Sequence, residues 1–147
     1  LARSDNLNLS GRRYDRSSFM ADQSPLSIWI AGTCRDRFGD YGLVLAARVV
    51  VGESMLEIKD LVLSCRVAEK AIENSFIEWL RTEGKGINAH RVAAAFTPTS
   101  KNAPLDRSLR RCGFEQDREG SIMWIDGSES VPDSSIVQTV GRLFVPG

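Results

Sequence analysis

One stretch predicts the fold of this chain better than any other: Leu61-Val62-Leu63-Ser64-Cys65-Arg66-Val67-Ala68-Glu69-Lys70-Ala71. Strand-forming residues end at Ser64, and a cysteine and an arginine come directly before an amphipathic pattern that predicts a helix over residues 67–81. A strand that turns sharply into a helix gathers backbone N–H groups, which can hold an anionic or carbonyl group. A thiol at that position beside an arginine is favoured as the thiolate. The segment therefore predicts a binding loop and a candidate nucleophile, Cys65.

The composition is that of one soluble globular domain. The chain has 147 residues, 42% hydrophobic and 26% charged, which is enough to build an ordinary core. Lys+Arg and Asp+Glu both number 19, so we expect neither a nucleic-acid nor a membrane partner. The three cysteines lack metal-ligand spacing and there is one His, so we expect no metal site and a reducing, cytoplasmic location.

The alternation of apolar and polar residues predicts the strands. We expect strands over residues 27–34 and 43–51, the second buried on both faces, joined by a hairpin connection over residues 36–42. In the next strand, residues 55–64, the alternation changes phase near Asp60. Either a β-bulge or a passage from half-exposed to buried surroundings explains such a slip.

The remaining elements follow from helical spacing and breakers. The helix over residues 67–81 should stop at Gly84 and Gly86, and a strand follows over residues 90–97. Asn102 is a helix N-cap candidate, and Gly113 closes that helix. Near the N-terminus we expect an extended segment over residues 6–10 and a short helix over residues 17–21, and near the C-terminus a hairpin over residues 114–124. Residues 1–126 are thus one α/β domain with a mixed sheet, and residues 127–147 a tail or linker.

This order of elements resembles the GNAT (acyl-CoA N-acyltransferase) fold, whose pyrophosphate-binding loop matches residues Arg66 to Ala71 in its first and last positions. Glu69 stands where that family has glycine, and a carboxylate beside a pyrophosphate is repulsive, so we expect weak or no CoA binding. Leu109 stands where the family has a tyrosine acid. CoA-dependent N-acetylation, with acetyl-CoA as cofactor, is the alternative function.

A narrower resemblance involves four segments: residues 12–14, 36–44, 63–67 and 98–104. They are similar to the C-terminal domain of FkbH-like proteins, which load a glyceryl unit from a phosphorylated three-carbon donor onto an acyl carrier protein in polyketide pathways. The resemblance implies an acyltransferase that binds no cofactor of its own, since the carrier protein supplies the phosphopantetheine. It also implies a phosphatase-like domain in the same polypeptide. The chain begins without Met, and we expect it to be a piece of a longer protein.

The resemblance also implies the site residues. Cys65 is the candidate nucleophile, with a small packing residue at a strand end as the open alternative. The phosphopantetheine and acyl group would contact Leu63, Arg66, Val67, Ala68, Ala71, Lys101 and Asn102. The residues around Asp36 and Asp40 either shape the donor site or are only turn residues. A third possibility, a carrier-protein docking domain without chemistry of its own, stays open, and the carrier would then meet the helix face formed by Arg107, Arg110 and Arg111.

Overall fold

A computed structural model of the chain describes residues 7–13, 15–21, 26–67, 70–116, 118 and 123–126. Its centre is one six-stranded sheet with the spatial order β1-β2-β3-β4-β6-β5. The strands are β1 (Ser27–Asp36), β2 (Gly39–Val51), β3 (Met55–Leu63), β4 (Arg91–Ala94), β5 (Glu115–Gln116) and β6 (Met123–Asp126). Only β3 and β4 pair in parallel, so the sheet is mixed, as predicted.

Within the described residues three α-helices accompany the sheet: α1 (Arg16–Ala21), α2 (Ile72–Gly86) and α3 (Ala103–Arg111). The hydroxyl group of Ser108 in α3 donates a hydrogen bond of 2.5 Å to Glu73 in α2, so these two helices touch. Their apolar residues close the core over β2, β3 and β4, where the largest fully buried side chains include Leu56, Ile58, Leu61, Leu63, Ile77, Leu80, Leu105 and Leu109. The predicted helix near residue 17 and the final hairpin are both confirmed.

The phase slip in β3 is a β-bulge. Arg48 pairs with Asp60 and Val49 pairs with Ile58, which leaves Lys59 as the extra residue. The bulge turns Asp60 to the face of Arg48, and the two side chains form an ion pair with an N–O distance of 2.8 Å. Of the two explanations that the sequence left open, the bulge is therefore the correct one.

Two predictions about the first hairpin were wrong. The connection is a two-residue turn, Arg37 and Phe38, because β2 already begins at Gly39. The strand β2 is also not buried on both faces: Leu45, Ala47 and Val49 are buried, but the residues between them are only half-buried. An apolar run such as residues 43–51 cannot by itself distinguish a strand covered on both faces from one covered on a single face.

The start of α2 was also predicted wrongly. Cys65–Val67 form one turn of 3-10 helix, and the α-helix begins only at Ile72. Ala71, at the N-cap, has a φ angle of 54°, a left-handed conformation that an alanine seldom adopts. Cys65 therefore lies in the turn that precedes α2, not at the N-terminus of that helix. The helix also continues through Gly84 and ends at Gly86.

Residues 7–9 fill the gap where β3 and β4 diverge. These strands pair only up to Ile58 and Ala94. Beyond that point the N–H of Leu9 donates to the carbonyl of Leu61, and the N–H of Leu63 donates to the carbonyl of Leu7. On the other side, the N–H of Thr97 donates to the carbonyl of Leu9. Leu9 is fully buried, so the extended N-terminal segment is part of the core.

Candidate functional site

The candidate site lies at the edge of the sheet where three strand ends meet. Because β1 and β3 both run antiparallel to β2, the end of β1, the start of β2 and the end of β3 share one edge. The N–H of Ser64 donates to the carbonyl of Val44 at 2.8 Å, which continues the β2–β3 pairing to the end of β3. Cys65 follows directly and is therefore held next to the start of β2.

Cys65 is the one exposed cysteine in the chain. Cys34 is half-buried in β1, and Cys112 is buried at the end of α3. Burial raises the pKa of the Cys112 thiol to about 12, and the neighbouring Glu73 carboxylate adds to that shift. Cys112 is thus a packing residue, as expected, whereas Cys65 is open to a reactant.

The side chain of Arg66 is held beside Cys65 by two neutral acceptors. Its Nε donates to the hydroxyl of Ser64 at 3.0 Å, and Nη2 donates to the carbonyl of Leu43 at 3.2 Å. A guanidinium group has five N–H donors, so these bonds orient it without using all of them. Arg66 is exposed, and its remaining donors can bind an anionic group at this edge.

Four backbone amides around Cys65 are already used within the chain. The N–H of Leu63 bonds to Leu7, the N–H of Ser64 to Val44, and the N–H of Val67 to the carbonyl of Ser64. The N–H of Arg66 donates to the hydroxyl of Ser64. The guanidinium of Arg66 is therefore a main candidate to stabilise negative charge at Cys65.

A second polar cluster connects the first hairpin with the loop before α2. Lys70 Nζ lies 2.9 Å from Asp36 Oδ2 and 4.8 Å from the ring centroid of Tyr41, and the Tyr41 hydroxyl donates to Asp36 at 3.1 Å. The hydrogen bond from Lys70 lowers the pKa of Asp36 and raises the pKa of Lys70. Sequence analysis missed Lys70 and Tyr41, because no local pattern relates Lys70 to a carboxylate 34 positions earlier.

Asn102 holds the N-terminal segment in place. It is buried, and its side-chain nitrogen donates to the carbonyls of Asn8 at 3.0 Å and Thr97 at 2.8 Å. Its side-chain oxygen accepts the N–H of Thr99, and the side chain forms no helix-capping bond although Asn102 is at the N-cap of α3. Residues 7–9 therefore separate Asn102 from Leu63, while Lys101 is exposed on the same loop.

The other predicted site residues take different positions. Val67 is buried, Ala71 is half-buried at the left-handed turn, and Ala68 and Glu69 are outside the described residues. Leu109 is fully buried, so its position faces the core. Within the described ranges no cluster of His, Cys, Asp or Glu is suited to a metal ion, and no helix there is long and apolar enough to cross a membrane.

Residues 7–9 lie along the end of β3, where the resemblance implies that Leu63 contacts the phosphopantetheine arm. The N–H of Leu63 is bonded to the carbonyl of Leu7 at 3.0 Å. An arm lying in the gap between β3 and β4 would have to displace residues 7–9, including the buried Leu9. Cys65 is instead reached from the open edge of the sheet.

No protein-family model matches the sequence, and no curated protein does. Solved structures do match. The ribosomal-protein-S18-alanine N-acetyltransferase from Escherichia coli is 11% identical, with a TM-score of 0.57 over 83% of this chain and 83% of its own. An acetyltransferase from Bacillus subtilis, solved in complex with CoA, is 11% identical, with a TM-score of 0.50 over 67% of this chain and 76% of its own.

A third similar structure is the cAMP-binding acyltransferase from Mycobacterium smegmatis. It is 15% identical over 85% of this chain, with a TM-score of 0.51, and this chain spans 39% of that longer protein. Structural similarity at such low sequence identity establishes the fold but leaves the reaction open. The chain has the GNAT acyltransferase fold, as its sequence predicted.

Proposed function

We propose that this domain transfers a glyceryl group to the phosphopantetheine thiol of an acyl carrier protein, through a thioester on Cys65. The observation that carries the proposal is the exposed Cys65 thiol beside Arg66, whose guanidinium is oriented by Ser64 and Leu43. The GNAT fold supports acyl transfer as the general reaction. The resemblance to FkbH-like proteins supplies the substrate class.

The first step joins the acyl group to the protein. The Cys65 thiolate attacks the carbonyl carbon of an acyl phosphate of glyceric acid, forming a C–S bond, and the C–O bond to phosphate breaks. Inorganic phosphate leaves with the bonding electron pair, and the thiol proton passes to solvent. In the second step the carrier-protein thiol attacks the thioester, and Cys65 recovers its proton.

Arg66 binds the phosphate of the donor in this reaction. The planar guanidinium suits phosphate oxygens, and its charge offsets the negative charge that grows on the leaving group and on the carbonyl oxygen. Lysine would keep the charge but not the forked geometry. We expect Arg66→Lys to retain only part of the activity and Arg66→Gln to lose more.

CoA-dependent N-acetylation is the second candidate, favoured by the fold shared with the S18-alanine N-acetyltransferase. Glu69 counts against it, because this carboxylate stands where the family's loop has glycine and would repel the pyrophosphate of acetyl-CoA, which the arm of a carrier protein lacks. Calorimetric titration with acetyl-CoA separates the two candidates. The proposed function predicts weak or no heat of binding, and micromolar affinity would favour the acetyltransferase.

The direct test of the proposed function follows the carrier protein by intact mass. The chain is incubated with an acyl phosphate of glyceric acid and a holo carrier protein, and Cys65→Ser is the matched control. We expect the carrier to gain one glyceryl unit with the wild-type chain and to gain it far more slowly with Cys65→Ser. Equal rates would show that the carrier thiol attacks the donor directly, and no transfer with either would favour a docking role without chemistry.

A further inference from the structure

We propose that the end of the sheet from the tip of the first hairpin to the turn after β3, here called the Phe38 edge and formed by Arg37, Phe38, Leu43 and Arg66, is a docking surface for the acidic face of the acyl carrier protein. This inference rests on the proposed function and assigns its partner surface. It replaces the helix face of Arg107, Arg110 and Arg111 as the expected docking position. Three properties of the edge support it: exposed apolar side chains, positive charge and position.

The Phe38 edge exposes large apolar side chains. Phe38 is 76% exposed and Leu43 is 47% exposed. In the part of the chain that the structure describes, Leu26 is the only other large hydrophobic residue with such exposure. It lies at the opposite edge, next to the end of β2, where its carbonyl accepts the N–H of Val51. Leu43 lies beside Cys65 and Phe38 lies at the hairpin tip at the same end of the sheet. Exposed apolar side chains of this kind serve as anchors in protein contacts.

The charge available at this edge is positive. The guanidinium carbon of Arg37 lies 4.6 Å from the centroid of the Phe38 ring, so an aromatic anchor and a cation form one unit. Asp36 is neutralised by Lys70 at 2.9 Å. The other carboxylate of the hairpin, Asp40, accepts the N–H of Gly42 and lies opposite Arg35 in the β1–β2 pairing. Among the residues that the structure describes, neither Arg37 nor Arg66 forms an ion pair. An acidic partner therefore complements the Phe38 edge.

The α3 face lacks such apolar anchors. None of the large hydrophobic residues that are exposed in the described part of the chain lies on α3. Arg110 is also already bonded to Asp106 at 3.0 Å.

The approach of the pantetheine thiol leads to the same edge. Residues 7–9 close the gap between β3 and β4, so the thiol must reach Cys65 from outside the sheet. Leu43 lies next to Cys65, because Leu45 pairs with Leu63 and the carbonyl of Val44 accepts the N–H of Ser64. A carrier protein seated on Phe38 and Leu43 would present its thiol directly to Cys65.

The test measures binding separately from chemistry. Calorimetry at low salt and at physiological salt measures the binding of a holo carrier protein to four chains. They are the wild type and the variants Phe38→Ala, Arg37→Glu and Arg107→Glu. We expect Phe38→Ala and Arg37→Glu each to weaken binding by about tenfold, with the Arg37→Glu effect reduced by salt. Arg107→Glu, an exposed charge reversal on α3, should bind like the wild type.

Three outcomes would overturn the inference. They are loss of binding in Arg107→Glu alone, absence of carrier binding to the wild type, and self-association of the chain that Phe38→Ala relieves without any carrier binding. Acylation of Cys65 is assayed on the wild-type chain without carrier protein. If that acylation fails while the Phe38 edge still binds the carrier, the proposed chemistry is wrong but the docking surface is not.

Discussion

The side-chain amide of Asn102 donates a hydrogen bond to the carbonyl of Asn8, 3.0 Å away and 94 residues earlier in the chain. The same amide reaches Thr97, and its oxygen accepts the N–H of Thr99. One side chain thus joins the loop before α3 to the segment that closes the β3–β4 gap. Asn102 therefore stabilises the position of the N-terminal segment next to the candidate site.

Asn102→Ala should destabilise the domain by roughly 2–4 kcal/mol. The substitution leaves the buried carbonyl of Asn8 and the carbonyl of Thr97 without this donor, and the N–H of Thr99 without its acceptor. An unsatisfied buried group costs about 1–3 kcal/mol. Urea unfolding measures the loss. The exposed Ser100→Ala in the same loop should change the free energy of unfolding by less than about 0.5 kcal/mol.

Hydrogen exchange tells whether Asn102 acts through the N-terminal segment. In Asn102→Ala the amide of Leu63, bonded to Leu7, should exchange faster, whereas the amide of Ser64, bonded to Val44, should stay protected. Equal acceleration of exchange at both amides would contradict a stabilising effect of Asn102 that acts through residues 7–9.

Removing one partner of the buried ion pair at the bulge should lower the stability of the fold, because the other charge is then left unpaired. Asp60 is buried, accepts from Arg48 at 2.8 Å, and also accepts the hydroxyl of Ser10 at 3.2 Å. Removing one partner of a buried pair costs about 3–5 kcal/mol. We expect Asp60→Ala to lose stability of this order in urea unfolding, and the double variant Arg48→Met, Asp60→Leu to lose clearly less. A loss below about 1 kcal/mol in Asp60→Ala would contradict this account.

The Asp36–Lys70 pair predicts a pH dependence of stability. The hydrogen bond from Lys70 holds the pKa of Asp36 below its ordinary value of 3.8. A carboxylate with a lowered pKa in the folded state stabilises the fold above that ordinary value, and the contribution is lost as pH falls through the lowered pKa. The stability difference between wild type and Asp36→Asn should therefore be present at neutral pH and shrink in acid.

A double-mutant cycle isolates that pair. Because Lys70 is the largest cause of the shift, Asp36→Asn should have a smaller and less pH-dependent effect in a Lys70→Met background. An equal pH dependence in both backgrounds would assign the effect to the hydrogen bonds from Phe38 and Tyr41.

The three thiols should differ in their rate of alkylation. Cys65 is exposed, Cys34 is half-buried, and Cys112 is buried with its pKa raised to about 12. With iodoacetamide near neutral pH, mass spectrometry should find Cys65 labelled first and Cys112 last, the latter only on unfolding. Earlier labelling of Cys34 would place the reactive thiol on β1.

The sequence predicted those parts of the fold that local patterns encode. The phase slip at Asp60 is visible as a break in alternation, and the bulge at Lys59 follows from it. The start of α2 could not be found this way, because Val67 fits the apolar stripe but is buried by a 3-10 turn instead. Nothing in the sequence signals a left-handed alanine at position 71.

The candidate site was less predictable because its contacts are long-range. Asparagine is a residue type that commonly caps helices. Only the three-dimensional structure shows that Asn102 instead donates its hydrogen bonds to the carbonyls of Asn8 and Thr97. The Lys70–Asp36 pair likewise depends on strand order. The position of Cys65 at a strand end was predicted, but its surroundings were not. The amides of Leu63, Ser64, Arg66 and Val67 are engaged, and the guanidinium of Arg66 keeps donors beyond those bonded to Ser64 and Leu43.

Peptide mapping of the chain after incubation with an acyl phosphate of glyceric acid, without a carrier protein, reports directly on acylation of Cys65. We expect a glyceryl adduct on Cys65, removed by hydroxylamine as a thioester would be. We also expect no adduct on Cys34 or Cys112 and none in a folded Cys65→Ser variant. An unmodified Cys65 in a chain that still loads the carrier protein would contradict the proposed thioester mechanism.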